Sequence, residues 1–101
     1  MTPEQKAKLH SEIGKGREVK ALVENESFKQ VLNDSLHGIQ NAWLDAQTVE
    51  ARESLWHQGA GLKAFADNLQ SIINTGRMAE QQLEIEKRME QQDGEAKSTG
   101  R

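Results

Sequence analysis

The sequence contains no cysteine and only one proline, Pro3. Without cysteine, the chain has neither disulfide bonds nor thiolate ligands for a metal. No apolar run approaches the roughly 20 residues that a membrane-spanning helix needs. The first residues, MTPEQKAKLHSE, also lack the apolar segment of a secretory signal. We therefore expect a soluble, intracellular protein.

Apolar and aromatic residues are also few. Of the 101 residues, 35% are hydrophobic, 4% are aromatic and 29% are charged, with a net charge of −3. A single small domain of this composition has little apolar material for an interior. Such chains form elongated helical structures or depend on a partner for stability.

Helix signals begin at the first residues. Thr2 followed by Pro3 is typical of a helix N-cap and first turn. Gly14 and Gly16 then lower the helix propensity of the segment EIGKGREV. The sequence therefore predicts a short N-terminal helical arm over residues 1–24, broken or jointed at these two glycines.

A second helix is predicted over residues 27–44. Ser27 and Gln30 match the capping box that starts many helices. Apolar residues then recur at helical spacing and form one stripe: Phe28, Val31, Leu32, Leu36, Ile39, Trp43 and Ala46.

The third helix is predicted to begin at Val49, after Thr48 as N-cap, and to continue to at least residue 75. Its apolar stripe alternates steps of 4 and 3, which is typical of a coiled-coil seam: Leu55, Gly59, Leu62, Ala66, Leu69, Ile73 and Gly76. Gly76 could end this helix or lie within it. Residues 93–101 have no apolar anchor and are predicted to be disordered.

These patterns predict an all-α fold without strands. The short connection between residues 45 and 48 favours an antiparallel helical hairpin with coiled-coil-like packing over residues 25–92. Folding the chain there brings Trp43 to Arg52, where a cation–π contact can form, and Leu36 to Gly59. Gly59 would then make room for a bulky neighbour, and Gly61 would lie close to the N-terminal arm or to another subunit.

The sequence gives no indication of catalysis. His10, His37 and His57 are far apart, and no serine has a base at a meaningful spacing. We therefore expect no enzymatic activity, no cofactor and no metal site.

Association with a protein partner is the favoured interpretation. A two-helix hairpin leaves apolar side chains exposed, and exposed apolar surface usually marks an interaction site. Residues 3–23 could cover it, but we favour association with further copies because the two glycines interrupt that arm. The expected packing residues are Phe28, Trp43, Arg52, Trp56, Gly59, Gly61, Leu62, Phe65, Leu69 and Ile72.

Three segments resemble a pattern in small proteins of tailed bacteriophages and prophages: GREVKALVENESFKQVL, AWLDAQTVEARESLW and LKAFADNLQSIINTGRMAE. The matching positions, within residues 16–83, are Phe28, Trp43, Thr48, Arg52, Glu53, Leu55, Trp56, Gly76 and Ala79. The resemblance implies a gene carried with head or packaging genes and a non-enzymatic role in virion assembly, in the bacterial cytoplasm or the virion. Gly59 and Gly61 depart from the pattern, which has larger residues there.

Two alternatives stay open at the sequence level. The first is a nucleic-acid-binding packaging or regulatory accessory that uses the basic residues of the arm: Lys6, Lys8, Lys15, Arg17 and Lys20. The second is an inhibitor that blocks a host protein through an acidic helical surface.

Overall fold

The computed structural model describes residues 1–99, with side chains described for residues 1–92. It contains three α-helices: α1 (Pro3–Glu24), α2 (Glu26–Asp45) and α3 (Val49–Thr99). No strand occurs between residues 1 and 99. The predicted all-α fold class is confirmed.

Helix α1 begins as the sequence predicts but does not break. The backbone N–H of Gln5 donates to Thr2 Oγ1 at 3.1 Å, and the N–H of Thr2 donates to Gln5 Oε1 at 2.8 Å. These reciprocal bonds form a capping box. The prediction of a joint at Gly14 and Gly16 is wrong, because the helix is continuous to Glu24. Contacts with another helix, described below, offset the low helix propensity of glycine at position 16.

Helix α2 has a different N-cap from the predicted one. Asn25, in an extended conformation, accepts a hydrogen bond at its Oδ1 from the N–H of Phe28 at 2.9 Å. Ser27 lies inside the helix, so the predicted capping box with Gln30 is wrong. Asparagine caps as well as serine does. Capping at Asn25 also leaves only one residue between α1 and α2.

Helix α3 starts at its predicted cap and is longer than expected. Thr48 Oγ1 accepts from the N–H of Ala51 at 3.1 Å. The helix runs through Gly76, and its backbone continues to Thr99. The prediction of disorder from residue 93 therefore differs from the structure up to residue 99. A helix that has already formed can be extended without a new nucleation cost, which allows it to continue past the good helix formers of residues 77–92. Residues 100 and 101 lie outside the described residues.

The chain forms two compact units, whose limits differ from those of the predicted segments 1–24, 25–92 and 93–101. That segmentation stays a prediction. The terminal unit comprises Met1–Glu18 and Ile72–Arg101. The central unit comprises Val19–Ser71.

The terminal unit is held by apolar contacts between α1 and α3. Leu9, Ile13 and Ala79 are buried together, with Leu83 packed against them, and Ala79 is only 2% exposed. Residue numbers rise along α1 as they fall along α3, so the two helices are antiparallel here. The N-terminal arm thus packs on the second half of α3, where the sequence showed only a sparse apolar line.

Gly16 and Gly76 bring these two backbones into close approach. A Cβ placed on Gly16 would lie 3.0 Å from the Cα of Gly76, and one placed on Gly76 would lie 2.9 Å from the carbonyl oxygen of Glu12. Real Cβ atoms do not come within 3.0 Å of backbone, so the crossing requires glycine at position 76. A Cβ at position 16 would force the facing backbone to move by a few tenths of an ångström. Gly14, by contrast, has open space around it, with nothing within 4 Å of a Cβ placed there.

The central unit contains the bend between α2 and α3. The predicted stripe of α3 lies on its less exposed side: Leu55, Gly59, Leu62 and Ala66 are half-buried and Leu69 is buried. On α2, Val31 was assigned to the stripe but is exposed. Leu69 is the only buried residue of this unit, among residues whose side chains are described.

The register between α2 and α3 differs from the predicted one. The side chain nearest to Gly59 is that of Ile39, not Leu36, with Ile39 Cγ2 at 3.8 Å from a Cβ placed there. The predicted pairing treated Trp43 and Arg52 as neighbouring backbone positions. The long arginine side chain can span about one helical turn, so its contact with Trp43 does not fix the backbone register.

Candidate protein-docking surface

A groove lies between α2 and α3 of the central unit, next to the bend. Its volume is about 650 Å³. Seven of its nine lining residues are apolar or glycine, and the full set is Ile39, Gln40, Trp43, Leu44, Leu55, Trp56, Gly59, Ala60 and Lys63. We call this surface the Trp groove.

The spacing of residues along each helix accounts for the shape of the Trp groove. Ile39 and Trp43 are one turn apart on α2, and Trp56 is one turn before Ala60 on α3. Gly59 and Ala60 carry little or no side chain, so they form a low floor between larger neighbours. The result is a concave apolar surface between the two indoles.

The large side chains at the Trp groove are well exposed. Trp43 retains 42% of its accessible surface, Trp56 retains 64% and Leu44 retains 69%. Tryptophan is enriched where proteins bind one another, because it buries much apolar area on association. A patch of this kind on a small chain is typical of a binding site.

Two ring contacts hold the indoles in place. The guanidinium carbon of Arg52 lies 5.3 Å from the ring centroid of Trp43, which confirms the predicted cation–π contact. The ring of Trp56 makes an edge contact with His57, with centroids 5.2 Å apart and an interplanar angle of 79°. Both tryptophans are therefore supported by a neighbour while one part of each ring faces outward.

The remaining predicted packing residues are divided between the two units. Phe28 and Leu62 are half-buried in the central unit, and Phe65 is 46% exposed. Leu69 is buried, so it supports the fold rather than the surface. Ile72 belongs to the terminal unit, where its carbonyl oxygen faces Gly16.

The two glycines in the first half of α3 are less crowded than the sequence suggested. A Cβ on Gly59 would make an ordinary van der Waals contact with Ile39, so within one copy alanine would fit. Gly61 has nothing within 4 Å of such a Cβ. Gly61 therefore has no close neighbour within one copy, and the alternative that it lies close to another subunit stays a prediction. Gly61 is exposed on α3, and the close approach of α1 occurs instead at Gly76.

Sequence reasoning missed several residues of the Trp groove: Ile39, Gln40, Leu44, Leu55, Ala60 and Lys63. Ile39 and Leu55 were assigned to the internal stripes, but both also reach the groove. Trp56, Ala60 and Lys63 recur at steps of 4 and 3, which places them on one face of α3. That spacing was the signal available in the sequence.

The basic residues considered for nucleic-acid binding are mostly paired with carboxylates. Lys6 Nζ lies 3.1 Å from Glu90 Oε1, and Arg17 Nε lies 3.0 Å from Glu80 Oε1. Lys8 and Lys20 each lie 4.0 Å from a glutamate one turn further along α1. Four of the five cations thus have an acidic neighbour, and their positive field is partly cancelled.

Other kinds of site have no support in the described part of the chain. Residues 1–92 contain no group of three or more potential ligands that could hold a metal ion. None of the helices, as far as they are described, combines the length and the apolar character needed to cross a bilayer.

Comparisons with known proteins gave no match: no family model, no curated protein and no solved structure is similar to this chain.

Proposed function

We propose that this protein is a non-enzymatic helical association module that binds a second copy of itself through the Trp groove. The observation that carries the proposal is the exposure of Trp43, Leu44 and Trp56 around a concave apolar surface. Binding hot spots are enriched in tryptophan, and fully burying one large apolar side chain stabilises a complex by about 1.5–3 kcal/mol.

The composition of the central unit supports association of copies. Leu69 is its only buried residue, where side chains are described. We propose that α2 and the first part of α3 form an antiparallel hairpin with coiled-coil-like packing, which a second hairpin completes into a four-helix arrangement. The apolar interior that one copy lacks would then be shared between two.

The biological setting of this proposal rests on the sequence resemblance. We propose that association serves virion assembly in a tailed bacteriophage, with the protein encoded beside head or packaging genes. Inspection of the neighbouring genes tests this part separately. Portal or terminase genes next to this one would support it, and a neighbourhood of unrelated metabolic genes would count against it.

Sedimentation equilibrium over a wide concentration range tests the association itself. Wild-type protein should change from monomer to dimer mass as its concentration rises. Trp56→Ala should raise the dissociation constant about tenfold or more, because it removes an indole from the groove. Met78→Ala is the matched control, since Met78 is exposed to a similar degree on α3 but lies outside the groove.

A wild-type protein that stays at monomer mass throughout that range would contradict the proposal. Equal effects of Trp56→Ala and Met78→Ala would also contradict it, because the groove would then have no special role.

A further inference from the structure

We infer that the second copy docks antiparallel across α3, with a two-fold axis between Gly59 and Ala60. This inference rests on the proposed function and specifies its interface. It is carried by the charges and side-chain sizes along one exposed face of α3 in the central unit.

That face is formed by five residues: Arg52, Trp56, Ala60, Lys63 and Asp67. At about 100° per residue, their side chains fall within an arc of roughly 80° on the helix. All five are exposed in a single copy. Three of them, Trp56, Ala60 and Lys63, also line the Trp groove, so the face and the groove are continuous.

The charges along this face are complementary to those of a second copy whose α3 runs in the opposite direction. Arg52 lies as far before the proposed axis as Asp67 lies after it, so Arg52 faces the partner's Asp67. By the same symmetry, Trp56 faces the partner's Lys63. Each dimer therefore gains two ion pairs and two cation–π contacts from one pair of helices.

The centre of the face is suited to close approach of two helices. Gly59 lies opposite the partner's Ala60 in this register, and both side chains are minimal. Within one copy, a Cβ at Gly59 would lie 3.8 Å from Ile39, so the fold of a single chain does not require glycine there. A second backbone packed against this position accounts for it.

Charge also selects against the parallel arrangement. Two parallel α3 helices in register would place Lys63 beside the partner's Lys63 and Asp67 beside the partner's Asp67. Like charges held directly opposite each other destabilise a complex. Neither Lys63 nor Asp67 has an ion-pair partner within one copy, among residues whose side chains are described. Both charges are thus available to a second copy.

A mixing experiment with two full-length charge variants tests the register. In Arg52→Asp homodimers, the introduced carboxylate would face the partner's Asp67 twice, and in Asp67→Arg homodimers two guanidinium groups would meet twice. Each variant alone should therefore dimerise about tenfold more weakly than wild type, as two attractive pairs become two repulsive ones. In the heterodimers of an equimolar mixture both pairs are attractive: Arg52 of one chain meets Asp67 of the other, and the aspartate introduced at position 52 meets the arginine introduced at position 67. The mixture should therefore dimerise more tightly than either variant alone.

The double variant Arg52→Asp with Asp67→Arg exchanges the two charges within one chain. Both intermolecular pairs are then attractive again with their signs reversed, so this variant should dimerise more tightly than either single variant. It should stay weaker than wild type, because Arg52→Asp also removes the contact of Arg52 with the Trp43 ring. Circular dichroism at low concentration checks that every variant keeps its helices.

Asp34→Arg is the matched control. It makes the same charge change as Asp67→Arg, but it lies on α2 on the side away from Ile39 and Trp43. It should leave the dissociation constant unchanged.

The outcomes separate this inference from the proposed function. If wild type dimerises and Trp56→Ala weakens the dimer, but the double variant is no tighter than its single components, the register is wrong and association through the groove stands. An Asp34→Arg effect equal to that of Asp67→Arg would also overturn the register, since net charge alone would explain both. A monomeric wild type would overturn the inference and the proposed function together.

Discussion

Gly61 and Gly76 both lie within α3, but their surroundings differ completely. A Cβ on Gly76 would meet backbone atoms of α1 at 2.9 and 3.0 Å, whereas a Cβ on Gly61 would meet nothing within 4 Å. The sequence-based prediction judged Gly14 and Gly16 by their helix propensity alone, which is why it placed a break near Gly16. Helix propensity depends only on neighbouring residues. The contact of Gly16 with Gly76 joins distant parts of the chain, so it stabilises α1 without any signal in the sequence near Gly16.

We expect the two alanine substitutions to change stability in opposite directions. Gly76→Ala should lower the free energy of unfolding by about 1–3 kcal/mol, because α1 and α3 must move apart. Gly61→Ala should raise it by about 0.5–1 kcal/mol, because alanine favours the helix and meets no neighbour. Urea unfolding of both variants at one protein concentration measures the difference.

Gly14→Ala serves as the control for the first substitution, since Gly14 lies in α1 with open space around it. If Gly14→Ala destabilised the protein as much as Gly76→Ala, a close crossing of the two helices would be refuted.

At the scale of the helices, the start signals of α1 and α3 could be read from the sequence, whereas the cap of α2 is Asn25 and not the predicted Ser27. Thr2 and Thr48 cap α1 and α3 through hydrogen bonds that span three residues. The pairing of α1 with the second half of α3 could not be read in this way, since the ion pair of Arg17 with Glu80 joins positions 63 apart. Of the surface, the Arg52–Trp43 contact was predicted, whereas Trp43 was assigned to the internal stripe of α2 although 42% of its surface is exposed.

The start of α2 offers a test between two nearby candidates. Asn25→Ala should destabilise the protein by about 1 kcal/mol, because the N–H of Phe28 loses its acceptor. Ser27→Ala should change stability by less than about 0.5 kcal/mol, since this serine lies inside the helix and alanine is a better helix former. Thermal unfolding of the two variants shows which residue caps α2. A larger loss of stability in Ser27→Ala than in Asn25→Ala would identify Ser27 as the N-cap.

For the whole molecule, the ion pairs bear on the nucleic-acid alternative. Lys6 and Arg17 face glutamates of α3, so α1 presents few free cations to phosphate groups. We expect no measurable salt-dependent affinity for a labelled DNA duplex between about 50 and 200 mM salt, a range over which phosphate-binding proteins lose orders of magnitude in affinity. Fluorescence anisotropy at the two salt concentrations measures this.

The double variant Glu80→Gln with Glu90→Gln is measured in the same DNA titration at the same two salt concentrations. It frees both cations, so any affinity it gains would show that the carboxylates suppress binding in the wild type. Tight, steeply salt-dependent binding by the wild-type chain would instead make the basic arm a nucleic-acid site.

The divisions between the two units, after Glu18 and after Ser71, both fall inside helices. The short connections at Asn25 and at residues 46–48 both lie within the central unit. A protease that requires a flexible substrate would therefore cut within the central unit and not between the units. After a single cleavage at residues 46–48, each fragment would still carry one side of the terminal unit. The two fragments would stay bound by their buried leucine, isoleucine and alanine, and the nicked protein would migrate as one species until denatured.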